Sequence, residues 1–223
     1  NNRTGIYFRL FKKENRLEWV GTAKGASHRN TSSERTKGNA FNGHVQTLSL
    51  AGINAVTVDD LGWMDHHARK DFLPAGIDYI LIVPGSAPKH PAKRWPTSSY
   101  SALAVQCVNK NIIPVIIGTA QESITAQDIK NDCPQAINLT GKTSFFDLAA
   151  LARNARGAIG NDTGPMHIIG PTGRPCMVLF SGKTNPARHA PLGRNVMSLQ
   201  STNIEELTIE QVKNTILSLI EAP

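Results

Sequence analysis

The sequence predicts an α/β protein built on a parallel sheet. From Ile77 onward, short apolar runs alternate with stretches of helical period, the pattern of strands joined by helical crossovers. Polar, glycine-containing segments follow each of five predicted strands, at the edge where open parallel sheets bind ligands. With 223 residues, 40% of them hydrophobic and 18% charged, the chain can bury the core that such a sheet needs.

The five predicted strands are apolar runs. Tyr79–Val83 is continuously apolar, as expected for a strand buried on both faces. The other predicted strands occupy residues 112–117, 136–139, 157–159 and 176–180. Because the connections between them are long enough for helices, we expect all five strands to run parallel.

Helices are predicted between these strands from apolar residues spaced three and four apart. The predicted helices occupy residues 100–108, 123–130, 144–155 and 208–220. In the third of them, Phe145 is expected to face inward together with Leu148. The last is expected to begin at a capping box formed by Thr208 and Gln211.

The first 76 residues are less regular and strongly basic. The predicted elements there are a helix over 3–16, a strand over 17–23, a loop over 24–40, a helix over 41–51 and an irregular connection over 54–76. Nine Lys and Arg against three Glu precede residue 38, so this segment carries most of the net charge of +7. Such a segment can meet nucleic acid, anionic lipid or an anionic substrate, or it can be a solvated surface.

The stretch from Gly160 to His167 carries the strongest functional signal. An apolar run ends in Gly-Asn-Asp-Thr-Gly, and Pro165 stands where a helix can start. Asp162 or Thr163 is expected to cap this helix, and exposed N–H groups at a helix start favour an anion. An ordinary strand-to-helix turn is the alternative, but the polar segments after the other strands favour a phosphate-bearing ligand.

Several other classes of protein are disfavoured. Gly141-Lys142-Thr143 and Gly182-Lys183-Thr184 resemble the end of a P-loop but lack its upstream glycine. No G-x-G-x-x-G or G-x-S-x-G occurs, so neither a dinucleotide dehydrogenase nor a hydrolase using Ser86 is expected.

The three cysteines are interpreted as reduced thiols. Asp65-His66-His67 is interpreted as an exposed linker, with metal binding as the alternative.

These residues together resemble the lipopolysaccharide heptosyltransferase family (glycosyltransferase family 9). The resemblance rests on Lys93-Arg94-Trp95-Pro96, on Gly118 with Glu122, and above all on Gly160–His167 followed by Gly173-Arg174-Pro175. It implies a GT-B fold, in which two Rossmann-like domains enclose donor and acceptor. It also implies inverting, metal-independent transfer of heptose from ADP-heptose to the lipid A–core oligosaccharide, with no cofactor besides the donor substrate.

The resemblance also implies roles for individual residues, all on the donor side. Lys93 corresponds to a lysine at the donor phosphates, Glu122 to a glutamate that binds the nucleoside, and Thr143 to a residue beside the adenine. Asp162, Thr163 and Gly164, with His167 nearby, correspond to the loop around the pyrophosphate and the sugar, and Ser86 belongs to the donor-binding loop after the first strand.

Two departures from the family pattern matter. Gly170 and Pro171 should end the helix after Gly164 early. A Rossmann-like domain of about 100–150 residues should precede Ile77, and the family's general base has no counterpart here. We therefore interpret residues 1–76 as a remnant of the acceptor-side domain with a linker, and residues 77–223 as the donor-binding domain. The catalytic residue is unassigned.

Two other functions stay open from the sequence. One is a different GT-B enzyme of nucleotide-sugar chemistry, such as an epimerase. The other is a non-catalytic nucleotide- or RNA-binding module, although only Tyr7, Phe8, Phe11 and Trp19 could stack on bases in the basic segment. We expect no specific nucleic-acid partner and no metal. The expected location is cytoplasmic, with possible contact of the basic segment with an anionic inner-membrane surface.

Overall fold

The fold was analysed in a computed structural model, which describes residues 2–11, 14 and 17–221. These residues form two compact units. The first contains the chain up to Thr57 together with Ala187–His189, and the second contains Val58–Pro186 and the chain from Ala190 onward. In the described residues, no helix is both long and apolar enough to cross a membrane.

The first unit is small and only partly as predicted. It contains α1 (Asn2–Leu10), the parallel two-residue strands β1 (Val20–Gly21) and β2 (His28–Arg29), a 3₁₀ turn (Ser33–Thr36) and α2 (Ala40–Ser49). The predicted helix over 3–16 is found only as far as Leu10, and four residues of its predicted continuation (Lys12, Lys13, Asn15, Arg16) lie outside the described residues. The predicted loop over 24–40 was wrong in part, because β2 pairs with β1 there.

The second unit is organised around a six-stranded sheet in which all paired strands are parallel. The strands are β3 (Tyr79–Val83), β4 (Ile113–Ile116), β5 (Ile137–Asn138), β6 (Gly157–Asn161), β7 (Cys176–Ser181) and β8 (Val196–Ser201). The five predicted strands are confirmed. The sequence did not predict β8, and β6 extends two residues further than predicted, so that Gly160 and Asn161 belong to the strand.

Helices connect the strands as predicted. They are α3 (Thr97–Val108), α4 (Ser123–Asp132), α5 (Phe145–Asn154) and α6 (Met166–Ile169), and α8 (Ile209–Glu221) follows the last strand. The helix α7 (Pro186–His189), which was not predicted, lies between β7 and β8 in the sequence, and its residues Ala187–His189 belong to the first unit. The 3₁₀ turns of this unit are Gly62–His67, Pro91–Lys93, Ala120–Glu122, Gly170–Thr172 and Ile204–Glu206. The predicted capping box is confirmed, since Thr208 and Gln211 exchange hydrogen bonds at the start of α8.

Alternate side chains of β3 enter two separate cores. Ile80 and Ile82 pack with buried residues of α3, α4 and α8, whereas Leu81 and Val83 pack with buried residues of α5 and α6. Helices therefore cover both faces of the sheet, which confirms the predicted Rossmann-like α/β architecture.

The strand order determines where a ligand can bind. The order is β5-β4-β3-β6-β7-β8, so the chain moves outward from β3 to β5 and then returns to the other side of β3 with β6. The loops after β3 and β6 consequently leave the sheet in opposite directions. Such a switch point opens a crevice at the carboxyl ends of the strands, where doubly wound proteins bind their ligands.

Candidate functional site

A cavity of about 290 Å³ lies at this switch point. Its walls come from the loops after β3, β4, β5 and β6, so four of the five predicted polar segments converge. Of the predicted donor-side residues, Ser86, Glu122, Thr143 and Thr163 line it. None of the described residues of the fifth segment, after β7, does so.

Glu122 forms one wall of the cavity and also caps a turn. Its Oε2 accepts hydrogen bonds from the backbone N of Thr119 (2.8 Å) and from the Thr119 hydroxyl (2.7 Å). A Cβ added at Gly85 would lie 2.6 Å from Cγ of Glu122, so only glycine allows the loop after β3 to approach this side chain. Within the part of the chain that the structure describes, Oε1 accepts no hydrogen bond, which leaves it available to a hydroxyl donor.

Ser86 is buried, and its hydroxyl is engaged within the protein. The hydroxyl donates to the carbonyl oxygen of His90 (3.1 Å) and accepts from Nε of Arg94 (3.2 Å). Arg94 also donates from Nη2 to the carbonyl oxygen of Ser86 (2.8 Å). Since its hydroxyl proton is already donated, Ser86 has its backbone N–H to offer a ligand rather than its side chain.

Lys93 and Asp162 form an ion pair across the crevice. Nζ of Lys93, in the 3₁₀ turn Pro91–Lys93, lies 2.6 Å from Oδ2 of Asp162, just after β6. The two side chains are 21% and 10% exposed, so the pair is largely shielded from solvent. A shielded ammonium at a crevice attracts an anionic ligand more strongly than an exposed one does.

The predicted capping of the next helix was wrong. The N-cap of α6 is Pro165, and no side chain caps it, because the Asp162 carboxylate is bound to Lys93 instead. The helix is also only four residues long and passes into a 3₁₀ turn at Gly170, which confirms that Gly170 and Pro171 end it early. The cationic groups described beside this segment are therefore side chains, Lys93 paired with Asp162 and Arg94 bonded to Ser86, and a helix of four residues adds little dipole.

Gly164 and His167 lie in the segment that follows β6, and both residues are exposed. A Cβ added at Gly164 would have no atom within 4 Å, and the backbone there has no positive φ. Neither crowding inside the protein nor backbone conformation therefore explains a glycine at this position. Open space beside the backbone is what a closely approaching ligand requires.

Phe145 was predicted to face inward, and this prediction was wrong. Its side chain is 67% exposed and lines the cavity beside Thr143, whereas Leu148 is buried as expected. Phe145 is the first residue of α5, where the helix starts at the rim of the cavity rather than over the core. An exposed aromatic ring at the rim of a cavity can stack on a planar ligand.

The alternative metal-binding interpretation of Asp65-His66-His67 gains no support. Oδ2 of Asp65 accepts a hydrogen bond from Nε of Arg153 at 2.9 Å. In residues 2–11, 14 and 17–221, no group of three or more His, Cys, Asp or Glu side chains is placed to hold a metal ion.

The parallel sheet is doubly wound, a cavity lies at its switch point, and the Lys93–Asp162 ion pair joins the loops after the two strands that flank that point. These features define a Rossmann-like domain of the ligand-binding α/β class. The chain belongs to glycosyltransferase family 9 (heptosyltransferase), whose family model matches residues 51–219.

Relatives and solved structures agree with this assignment. The lipooligosaccharide heptosyltransferase 2 of Haemophilus influenzae is 32% identical over 107 residues, which cover 46% of this chain and 31% of that protein. The matched part thus spans about a third of the length of that curated relative. Among solved structures, the family 9 glycosyltransferase of Veillonella parvula has a TM-score of 0.73 at 20% identity, covering 86% of this chain and 63% of its own.

A further solved structure is the Escherichia coli heptosyltransferase WaaC with ADP-2-deoxy-2-fluoro heptose. Its TM-score is 0.63 at 20% identity, and the match covers 87% of this chain and 59% of that one. At this level of identity, the likeness to both structures shows a shared fold.

Proposed function

We propose that this chain is the donor-binding half of a glycosyltransferase that transfers heptose from ADP-heptose to the lipopolysaccharide core. The observation that carries the proposal is the shielded Lys93–Asp162 pair, which joins the loops after β3 and β6 on either side of the switch point, in a chain that belongs to family 9. The proposed donor is supported by the WaaC structure, which was solved with an ADP-heptose analogue.

The cavity suggests how the donor would lie. The adenine would occupy the side formed by Thr143 and Phe145, and the ribose diol would donate to Oε1 of Glu122. The diphosphate would then reach the backbone of Ser86 and the ammonium of Lys93. This order separates the carboxylate of Glu122 from the phosphates, which it would otherwise repel.

Lys93 would supply the main electrostatic contribution to sugar transfer. When the bond between the sugar and the diphosphate breaks, negative charge grows on the departing ADP, and a fixed ammonium stabilises that charge. The bond between the sugar and the diphosphate would lie beside the segment after β6, which contains Asp162, Thr163, Gly164 and His167. We propose that the reaction inverts the anomeric carbon and needs no metal, because Lys93 takes the role that a divalent cation has at other diphosphates.

The acceptor side belongs to the remainder of the enzyme in this proposal. The basic residues before residue 38 would attract an anionic acceptor or the anionic face of a membrane, from the cytoplasmic side. No residue of this chain is assigned as the general base.

Calorimetric titration with ADP, UDP and adenosine tests the proposal. ADP should bind more tightly than UDP, which would separate an ADP-sugar enzyme from one that uses UDP-sugars.

Loss of a charge-assisted hydrogen bond costs roughly 1.5–3 kcal/mol, so Lys93→Ala should weaken ADP binding about 10- to 100-fold. Lys183→Ala is the matched control, since Lys183 is exposed in the fifth loop, outside the cavity. Equal losses for ADP and adenosine in Lys93→Ala would contradict the assignment.

A further inference from the structure

Asn161 has no assigned function, although it is fully buried between the loops of the site. Its Oδ1 accepts hydrogen bonds from the backbone N of Trp95 (3.0 Å) and from Oη of Tyr100 (2.9 Å). Its Nδ2 donates to the carbonyl oxygens of Pro84 (2.7 Å) and Gly85 (3.3 Å). Two bonds accepted and two donated satisfy the whole capacity of an asparagine amide.

The orientation of this amide is fixed by its partners. The Trp95 backbone N–H can only donate, and the Pro84 carbonyl can only accept, so oxygen and nitrogen of the amide cannot exchange places. Burial raises the pKa of the Tyr100 hydroxyl far above its ordinary value, so that hydroxyl stays protonated and donates to Asn161. The bonds to Trp95, Pro84 and Gly85 therefore oppose displacement of their loops, and the bond to Tyr100 ties Asn161 to α3.

Three of the four bonds join segments that carry the phosphate side of the site, and the fourth joins Asn161 to Tyr100 in α3. Pro84 and Gly85 immediately precede Ser86, Trp95 follows Lys93 by two residues, and Asn161 itself precedes Asp162. Trp95 is held by a second hydrogen bond, because its indole Nε1 donates to the carbonyl oxygen of Leu207 (2.8 Å). The ring of Trp95 also packs edge-on against Tyr100, with centroids 5.0 Å apart.

We propose that Asn161 is a positioning residue that fixes the spacing between Lys93, Asp162 and the Ser86 loop, and so prepares the site for a diphosphate. The inference rests on the proposed function, because it assumes that the ligand carries a diphosphate at Lys93. The wall at Glu122 and Phe145 receives none of the four bonds. Gly85 does pack against Glu122, so weakening the Asn161 cluster should affect the diphosphate side of the ligand more than the nucleoside side.

Two variants test this with ADP and adenosine as paired ligands. Asn161→Asp preserves the shape but loses the bonds donated to Pro84 and Gly85, and should weaken ADP binding about 10- to 100-fold. Adenosine binding should weaken by a smaller factor, because the Gly85 loop also packs against Glu122. Tyr100→Phe removes a single bond to Oδ1 and should weaken ADP about 3- to 10-fold, with adenosine unchanged. This second variant keeps the test valid if Asn161→Asp does not fold.

Tyr79→Phe is the matched control. It also removes one buried tyrosine hydroxyl, which donates to the carbonyl oxygen of Leu151 (2.7 Å) at the opposite end of β3. It should leave both affinities unchanged while lowering the thermal midpoint about as much as Tyr100→Phe. The inference is overturned if Tyr100→Phe weakens ADP and adenosine equally, if it weakens neither, or if Tyr79→Phe gives the same selective loss. Failure of the unaltered chain to bind ADP would instead overturn the proposed function and the inference with it.

Discussion

Nζ of Lys93 lies 2.6 Å from Oδ2 of Asp162, although 69 positions separate the two residues in the sequence. The pair joins the loop after β3 to the end of β6. These two neighbouring strands form the switch point, where the order in which strands are added to the sheet reverses. Without a ligand, the aspartate balances the lysine charge in a largely shielded place. A diphosphate that binds Lys93 must therefore do so beside a carboxylate that repels it.

Asp162→Asn should strengthen the binding of ADP. The variant keeps the size of the side chain but removes the negative charge, and at the effective dielectric constant of a partly buried site this should raise ADP affinity about 10-fold. Adenosine affinity should not change, because adenosine has no phosphate. Calorimetry with both ligands measures the two effects. Weaker ADP binding would mean that Asp162 acts chiefly by holding Lys93 in place.

Glu122→Gln should weaken adenosine and ADP to the same extent, by about 5- to 10-fold, since a charged acceptor binds a ribose hydroxyl more strongly than a neutral one. The capping function should survive, because Gln211 already forms the equivalent bonds with Thr208 at the start of α8. An unchanged thermal midpoint would verify this. Stronger ADP binding would place Glu122 beside the phosphates and contradict its assignment to the nucleoside.

The sheet could be predicted from the sequence because strands buried on both faces are continuous apolar runs, as in Tyr79–Val83. The strand β8 could not be predicted in this way. It is one of the two edge strands, it is only partly buried, and its polar Ser198 and Gln200 interrupt the apolar pattern. The carboxyl-edge location of the site followed from the parallel topology alone, before any side-chain contact was known.

The contacts within the site depended on information that no local pattern contains. Asp162 has the local context of a helix cap, but a lysine far away in sequence binds it instead. Phe145 fits the apolar period of α5, yet the first turn of that helix extends beyond the core. The four bonds of Asn161 reach segments more than 60 residues away, so only the folded chain reveals them.

Phe145→Ala should weaken adenosine and ADP equally while leaving inorganic pyrophosphate binding unchanged. Stacking of an aromatic side chain on a base contributes roughly 1–3 kcal/mol, which corresponds to about 5- to 100-fold in affinity. Phe145→Trp should retain the affinity. Ile124→Ala is the control, since Ile124 is an exposed apolar residue in the first turn of α4 and does not line the cavity. Unchanged adenosine affinity in Phe145→Ala would show that the base lies elsewhere.

Gly164→Ala should leave the protein as stable as before but weaken ADP binding about 10-fold. The added methyl group meets no atom of the protein within 4 Å and does not strain the backbone, so any effect must come from the space that a ligand occupies. Thermal unfolding and calorimetry measure the two properties separately. Unaltered ADP affinity would place the phosphates away from this segment.

The chain of residues 1–223 should bind the donor without transferring sugar. Transfer requires a base to remove the proton of the acceptor hydroxyl, and a positioned base typically contributes about 10²–10⁴-fold. Of the two carboxylates described at the site, Asp162 is paired with Lys93, and Glu122 is assigned to the ribose hydroxyls of the donor in the proposed function. In the proposed donor orientation, Asp162 would also lie on the side from which ADP departs, opposite to the face that an inverting nucleophile attacks.

ADP release from ADP-heptose, measured with and without acceptor, tests this expectation. The control is the same chain preceded by the acceptor-side domain of a family member, which should restore acceptor-dependent release if the base lies in that domain. The short chain should bind ADP-heptose in calorimetry and yet release ADP no faster when acceptor is added. Acceptor-dependent release by the short chain, abolished by Asp162→Asn but not by Glu122→Gln, would identify Asp162 as the base and reverse the assignment of the leaving-group side.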